Sequence, residues 1–336
     1  MARSPAAGTV RGDVRGVVRG VVLGVDLGGT STKAGWLRIG ARELEGFRSR
    51  PTGAARPREA VLAAVAADAR ALAAEAPGPV VALGIGVPAA LTADGRIDVL
   101  PNFAPGWRGL DLARELGDAT GLRTVVVNDA RAFALAEARA GAAVGARVAF
   151  GVTLGTGVGG GIVVDGQLFL GANGNAGEFG HHTFDPHGPL CGCGSHGCVE
   201  TYASAPALVA SVLRPFRQGG TPRLQALAGG RFEAVTPVLI AAAAAEGDVH
   251  CRDAIDRVAE VLGVGLADVT TLLGVDRIVV GGGMAGLGDA LFGPLARVLG
   301  AYVTTAGGAL PEVLPARLGD EAGALGAAFH ALDVTA

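Results

Sequence analysis

Apolar residues come in short runs separated by glycine turns, and the runs alternate with stretches of helical length. A first run over 21–26, the turn Gly28-Gly29-Thr30 and a second run to Leu37 predict a β-hairpin. A third strand over 43–50 extends it. An alanine-rich helix is expected over 58–75, stopped by Pro77-Gly78, and a buried strand over 80–87. A helix over 111–120, a strand over 124–128 and a helix over 130–140, with Asp129 at its start, complete the unit. A hairpin followed by alternating helix and strand predicts a mixed sheet with helices on its faces.

The pattern begins again at Arg147. A strand over 148–154, a glycine turn over 155–160, a strand over 162–164 and the tight-turn pair Asp165-Gly166 repeat the opening without repeating its sequence. Helices are expected over 200–215, 236–245 and 249–273, then a strand over 277–280, a glycine-rich turn and a helix from about 289. A small-residue helix over 320–332 can pack back on the first unit. The expected division is a disordered leader over 1–19, a first α/β domain over 20–128 joined by the C-terminal helix 320–336, and a larger α/β domain over 129–319.

Composition narrows the function classes. Half of the 336 residues are hydrophobic, yet Gly, Pro, Asp or Arg interrupts every run well short of the roughly 20 apolar residues of a membrane span. The leader has no compact apolar block and cleavage site of a secretory signal. A net charge of -3, with scattered arginines, makes no electrostatic case for nucleic acid. The chain is expected in the cytoplasm, with neither nucleic acid nor membrane as partner. Of the 56 glycines, only those with a task set by their neighbours are read as functional.

Asp26, Gly28, Gly29, Thr30, Thr32 and Lys33 cluster at the first hairpin. Glycines let backbone N–H groups approach phosphate oxygens, threonine hydroxyls add donors, and Asp26 can hold water around Mg²⁺. It is not a Walker A loop, because G-x-x-x-x-G-K-[ST] is absent. Gly155, Thr156 and Gly157 open a G-x-G-x-x-G match, but the segment continues as strand and hairpin instead of opening a helix as a dinucleotide fingerprint must. A second match around Gly282 and Gly283 lacks the later acidic residue. The better account is two phosphate-contacting hairpins in duplicated halves, plus a glycine turn on which a nucleotide base or ribose lies flat.

Cys191, Cys193 and Cys198 crowd into eight residues, while Cys251 stands apart in a helical pattern. Interleaved glycines argue against core packing, and C-x-C with an odd count argues against a disulfide. Three thiolates and a histidine make a closed structural Zn²⁺ site, for which His181, His182, His187 and His196 compete by position.

Glu178-Phe179-Gly180-His181, followed by C-x-C-G-x-x-G-C-x-E from Cys191 to Glu200, resembles the signature of the ROK family of sugar kinases and repressors, in the actin-like ATPase clan. The resemblance runs from about Val21 to the C-terminus. It implies a two-domain actin-like ATPase fold, of duplicated ribonuclease H-like type, with an interdomain cleft and a zinc loop over 178–200. The implied activity is transfer of the γ-phosphoryl group of ATP to a hexose, glucose being the commonest, by a homodimer or homotetramer. Fructose, mannose, allose, N-acetylglucosamine and N-acetylmannosamine kinases share the motifs.

Residue by residue, it implies Asp129 as the base, where position alone would make it a helix cap. Asn102, Asn128, Glu178, His181 and Glu200 would hold the sugar, and His181 becomes the fourth zinc ligand. The metal would then act on sugar affinity through His181, with a smaller effect on ATP. Ala89 stands where family members commonly carry glycine, near the sugar-facing loop. The repressor branch carries a winged helix-turn-helix, for which about twenty leading residues are too few.

Overall fold

A computed structural model describes residues 20–304 and 310–335; the expected leader lies outside the described residues. The first unit runs β1 (Val21–Leu27), β2 (Ser31–Arg38), β3 (Leu44–Pro51), α1 (Arg58–Glu75), β4 (Val80–Val87), β5 (Ala90–Leu91), β6 (Ile97–Val99), α2 (Leu112–Thr120), β7 (Thr124–Asn128) and α3 (Asp129–Arg139). Its main sheet has the order β3-β2-β1-β4-β7, antiparallel across the hairpin and parallel from β1 through β4 to β7.

The second unit opens with β8 (Val148–Leu154), β9 (Val158–Val164) and β10 (Gln167–Leu168). A helical insertion follows: α4 (Glu200–Ala203), α5 (Ala205–Ser211), α6 (Leu213–Arg217), α7 (Pro222–Leu227), α8 (Pro237–Ala245) and α9 (Val249–Leu273). The unit closes with β11 (Arg277–Gly281), α10 (Asp289–Tyr302), β12 (Glu312–Pro315) and α11 (Ala322–Thr335). The sheet order β10-β9-β8-β11-β12 and its directions repeat the first sheet strand for strand. The duplication expected from the pattern is present in the topology.

The helix that ends each unit packs on the sheet of the other. Helix α3 lies on β8 and β9, α11 lies on β1 and β4, and the two helices cross each other. Small residues make this possible. A Cβ at Gly24 would run into the Ala324 carbonyl, one at Gly84 into that of Ala327, and one at Gly326 into that of Ala132. At these positions glycine is demanded by the close approach of α11.

Several expectations need correction. The helix over 200–215 is three, because Ser204 turns extended and caps α5, accepting from the Ala207 N–H at 3.4 Å, with a proline in the first turn. The turn over 155–160 is shorter, since β9 starts at Val158 and Gly159 to Gly161 pair with Thr153 to Gly151. Those glycines let α3 approach: a Cβ on Gly161 would lie 3.0 Å from the Arg131 Cα. The short β5, β6, β12 and α7 carry too little pattern to be seen in sequence.

Candidate functional site

Both hairpin tips are closed by backbone hydrogen bonds. The Gly28 N–H donates to the Ser31 carbonyl at 3.1 Å, and the Gly155 N–H to that of Gly157 at 2.9 Å. Thr30 and Thr156 are exposed at the tips. Thr32 is not a phosphate donor here: it is buried, and its hydroxyl pairs with that of Thr52 at 2.9 Å, while Thr52 donates to the Gly28 carbonyl at 2.7 Å. Thr32 therefore braces the turn from beneath. Lys33, opposite Asp26 in the ladder, donates to the exposed Asp320 carboxylate at 2.6 Å, a surface pair that a phosphate can displace.

Asp26 ends up in a dry place. Burial, with the nearby charge of Asp129, pushes its carboxyl up to about 7, against the pull of Lys33; Asp320 adds to the rise. Burial also raises the Asp129 carboxyl; its Ala130 N–H bond draws it back, Glu178 raises it and Arg131 lowers it. The Asp129 carboxyl thus acts on that of Asp26, and Glu178 on that of Asp129.

The cap of α3 is Asn128, not Asp129. The Asn128 Oδ1 accepts from the N–H groups of Ala130 (3.0 Å) and Arg131 (3.3 Å), and its Nδ2 donates to the carbonyl of the buried Ala89 at 3.3 Å. Asp129, the first helical residue, is thus not the cap its position suggested, although its Oδ1 also takes the Ala130 N–H at 2.8 Å. Asn128 keeps one amide N–H to offer a ligand. Asn102 takes a left-handed backbone (φ 65°), and its Cβ lies 3.7 Å from where a Cβ on Gly29 would be, beside the first tip.

Glu178 leads into a 3-10 turn over Phe179–His181. Its Oε1 accepts from Arg131 Nη2 at 2.6 Å, a partner that the sequence alone did not suggest. Beyond the turn, His181, Cys191, Cys193 and Cys198 bring one ligand atom each to within 4.8 Å of one another. His181 Nδ1 lies 3.6 Å from Cys191 Sγ, and Cys193 Sγ 3.7 Å from Cys198 Sγ. His182, His187 and His196 do not join this cluster: His182 Nε2 lies 3.2 Å from Asp268, His196 Nδ1 3.2 Å from the Gly188 carbonyl, and the backbone N–H of His187 donates to Asp185 at 2.9 Å.

Glu200 joins cluster and hairpin. Its Oε1 is 3.7 Å from Cys191 Sγ and its Oε2 accepts from the Val158 N–H at 3.2 Å. The adjoining Gly282 (φ 82°) has no room for a side chain against the Leu154 carbonyl, whereas a Cβ on Gly283 would meet open space. Gly282 thus serves packing, and Gly283 offers the flat surface.

The chain matches the ROK family profile over residues 22–334. It belongs to the ROK family. It is 33% identical to the glucokinase of Thermotoga maritima over 247 residues, 73% of this chain and 77% of that one. It is 34% identical to an N-acetylmannosamine kinase of Escherichia coli O157:H7 over 89% of this chain and 95% of that one. The crystal structure of a ROK family glucokinase from Streptomyces griseus, in complex with glucose and AMPPNP, aligns with a TM-score of 0.78 at 34% identity, covering 94% of this chain and 100% of that one. The fold is the duplicated actin-like ATPase fold, as this ROK member's two sheets and crossed helices already indicate. Among its described residues no helix is long and apolar enough to cross a membrane.

Besides Arg131, sequence reading missed Glu137. This buried α3 carboxylate accepts from the N–H groups of Arg317 and Leu318, each at 2.9 Å, and of Ala142 at 2.8 Å. It pins the chain that leads into α11 against the end of α3. The signal available was weak: a charged residue at a helical position that otherwise reads apolar.

Proposed function

We propose that this ROK-family protein is an ATP-dependent hexose kinase with glucose as its sugar. The observation that carries the reading is a set of carboxylates from three segments beside the first glycine turn: Glu178, held by Arg131 at 2.6 Å, raises the Asp129 carboxyl, and Asp129 raises that of Asp26. Like charges gathered close together are costly unless a cation and hydroxyl donors meet them. A magnesium nucleotide and a polyol supply both.

In the proposed mechanism the tips at Gly28 to Thr30 and Gly155 to Gly157 hold the phosphates, with Gly283 beneath the nucleoside. Asp26 is suited to Mg²⁺ through water, because its carboxyl, raised to about 7 mainly by burial despite the pull of Lys33, would gain from a cation beside it. The cation would screen phosphate charge. Asn102, Asn128, Glu178, His181 and Glu200 hold the sugar, and Asp129 aligns the attacking hydroxyl and takes its proton during an in-line, loose transfer. The domains are 20–128 with 320–336, and 129–319; closure between them excludes water as a competing acceptor.

The thiol cluster suits zinc. A tetrahedron with Zn–S bonds of about 2.3 Å has edges of about 3.8 Å, close to the 3.6 and 3.7 Å measured between ligand atoms. Four protein ligands leave no position for water, so the metal's part is to brace the loop while the Nε2 of His181 remains for a hydroxyl. The protein would work in the cytoplasm as a homodimer or homotetramer.

ADP release is to be measured with glucose, fructose, mannose, allose, N-acetylglucosamine and N-acetylmannosamine. Glucose is expected to give the highest kcat/KM. Preference for N-acetylmannosamine would follow the likeness to the Escherichia coli kinase instead. No sugar-dependent ADP release with any of the six would overturn the kinase reading.

A further inference from the structure

Arg131 heads the large side chains that the fold buries completely, at 2% exposure. It stands two residues past Asp129 in the first turn of α3. Its Nη2 donates to Glu178 Oε1 at 2.6 Å and its Nε to the Ala176 carbonyl at 3.0 Å, so one guanidinium holds both the carboxylate and the backbone that carries it. Among the described residues no other side chain holds Glu178.

The pair is lopsided. The guanidinium is dry, but the Glu178 side chain is 41% exposed. A pair that only filled the interior would bury both ends, and a buried arginine costs stability unless its partners are well placed. Here the buried end is an anchor and the other end is open to a ligand.

We propose that Arg131 is a positioning residue for the sugar: it fixes the direction of the Glu178 carboxylate, and its separation from Asp129, from a single turn of α3. The proposal rests on the kinase reading, in which Glu178 accepts from a sugar hydroxyl. With Oε1 bound by the guanidinium, Oε2 is the oxygen left to the sugar. A carboxylate held by a charge-assisted bond cannot swing, so less freedom is lost when sugar binds.

Steady-state kinetics of R131M, R131K, E178Q and the double variant R131M/E178Q test this. R131M should raise the sugar KM about 10- to 100-fold, the range for one charge-assisted hydrogen bond, and change the ATP KM by less than about twofold. R131K should recover part of the loss, because an ammonium can still meet Glu178. In the E178Q background, R131M should add less than about threefold, since both changes remove one interaction. An unchanged sugar KM in folded R131M, or full additivity in the double variant, would reduce Arg131 to a structural role. Should R131M fail to fold, an unchanged sugar KM in R131K overturns the proposal as well. If the wild type lacks turnover, the kinase reading fails first; the rise in Tm on adding each sugar then stands as readout, and a rise kept in full by R131K and R131M overturns the positioning role.

Discussion

The two glycine hairpins share a backbone and differ in nearly everything attached to it. Asp26-Leu27-Gly28 in the first corresponds to Thr153-Leu154-Gly155 in the second, with Lys33 opposite Asp26 and Gly159 opposite Thr153. The first turn carries charge and has a neutral brace, the chain of hydroxyls from Thr32 through Thr52 to the Gly28 carbonyl. The second turn is neutral and has a charged brace. Glu200 accepts from Val158, and the Ala205 N–H donates to the Gly155 carbonyl at 2.8 Å, both from the segment that follows the thiol cluster. The two halves thus share a glycine turn, and each copy depends on a different kind of support.

The largest expected effect lies where the hairpins meet, at the start of α3. Asp129 acts on Asp26 of the first, and a Cβ on Gly159 of the second would lie 2.5 Å from that of Ala130. Asp129→Asn should lower kcat by about 10²- to 10⁴-fold while sugar binding, followed by calorimetry, stays near normal, because an amide bonds a hydroxyl without taking its proton. Near-normal turnover would leave Asp129 as an ordinary first residue of a helix capped by Asn128.

Next comes the metal. The resemblance implied that zinc acts on sugar affinity through His181, with a smaller effect on ATP. The Glu200 contacts add a route to the second hairpin. Cys193→Ser should therefore raise the KM for ATP as well as for sugar, each by about 10-fold, the low end for a ligand's supporting shell. Zinc content measured on the same samples ties the effect to the metal. An ATP KM that stays put while zinc is lost would cut the proposed link and restore the original expectation.

How far the sequence carried can be seen at particular residues. Strands β1, β4, β7 and β8 and helices α1 and α9 were legible because apolar runs, stops and lengths agreed. The thiol cluster was legible from spacing, and His181 from resemblance. Long-range supports were not. Thr52, Arg131 and Glu137 act on partners 24, 47 and 180 residues away, and no local period records such a contact. The small residues of α11 pointed to packing on the first unit, but that Gly326 would meet the Ala132 carbonyl of α3 was not legible.

A smaller effect is expected from the neutral brace. Thr52→Val leaves the Thr32 hydroxyl and the Gly28 carbonyl without their partner in a buried place, which costs about 1–3 kcal/mol of stability. Denaturant unfolding should show this loss, and the ATP KM should rise only about two- to threefold, since the Gly28 to Ser31 bond still closes the turn. If Thr52→Val instead raised the ATP KM as much as Cys193→Ser, the two braces would be functionally alike and the contrast between them would fall.

The smallest effect is one of pH, and it separates the two turns by charge alone. The Asp26 carboxyl moves from an ordinary 3.8 to about 7 on folding, mainly through burial. A raised carboxyl pKa means that the folded protein prefers the protonated form, so its stabilising contribution is complete below about 4 and is lost as pH rises through about 7. Carboxyls held below their ordinary value, such as Glu45 bonded to Arg38, act the other way as pH falls. The absolute profile mixes both signs. The informative quantity is the Tm of Asp26→Asn minus that of the wild type, without nucleotide, at each pH. It should be near zero at pH 4 and grow to a few degrees in favour of the variant by pH 8, because the amide never has to ionise. Thr153→Ala, the same position in the second hairpin, should give a difference with no slope across that window. A flat difference for Asp26→Asn would mean that its carboxyl ionises normally, and the charge asserted for the first turn would lose its basis.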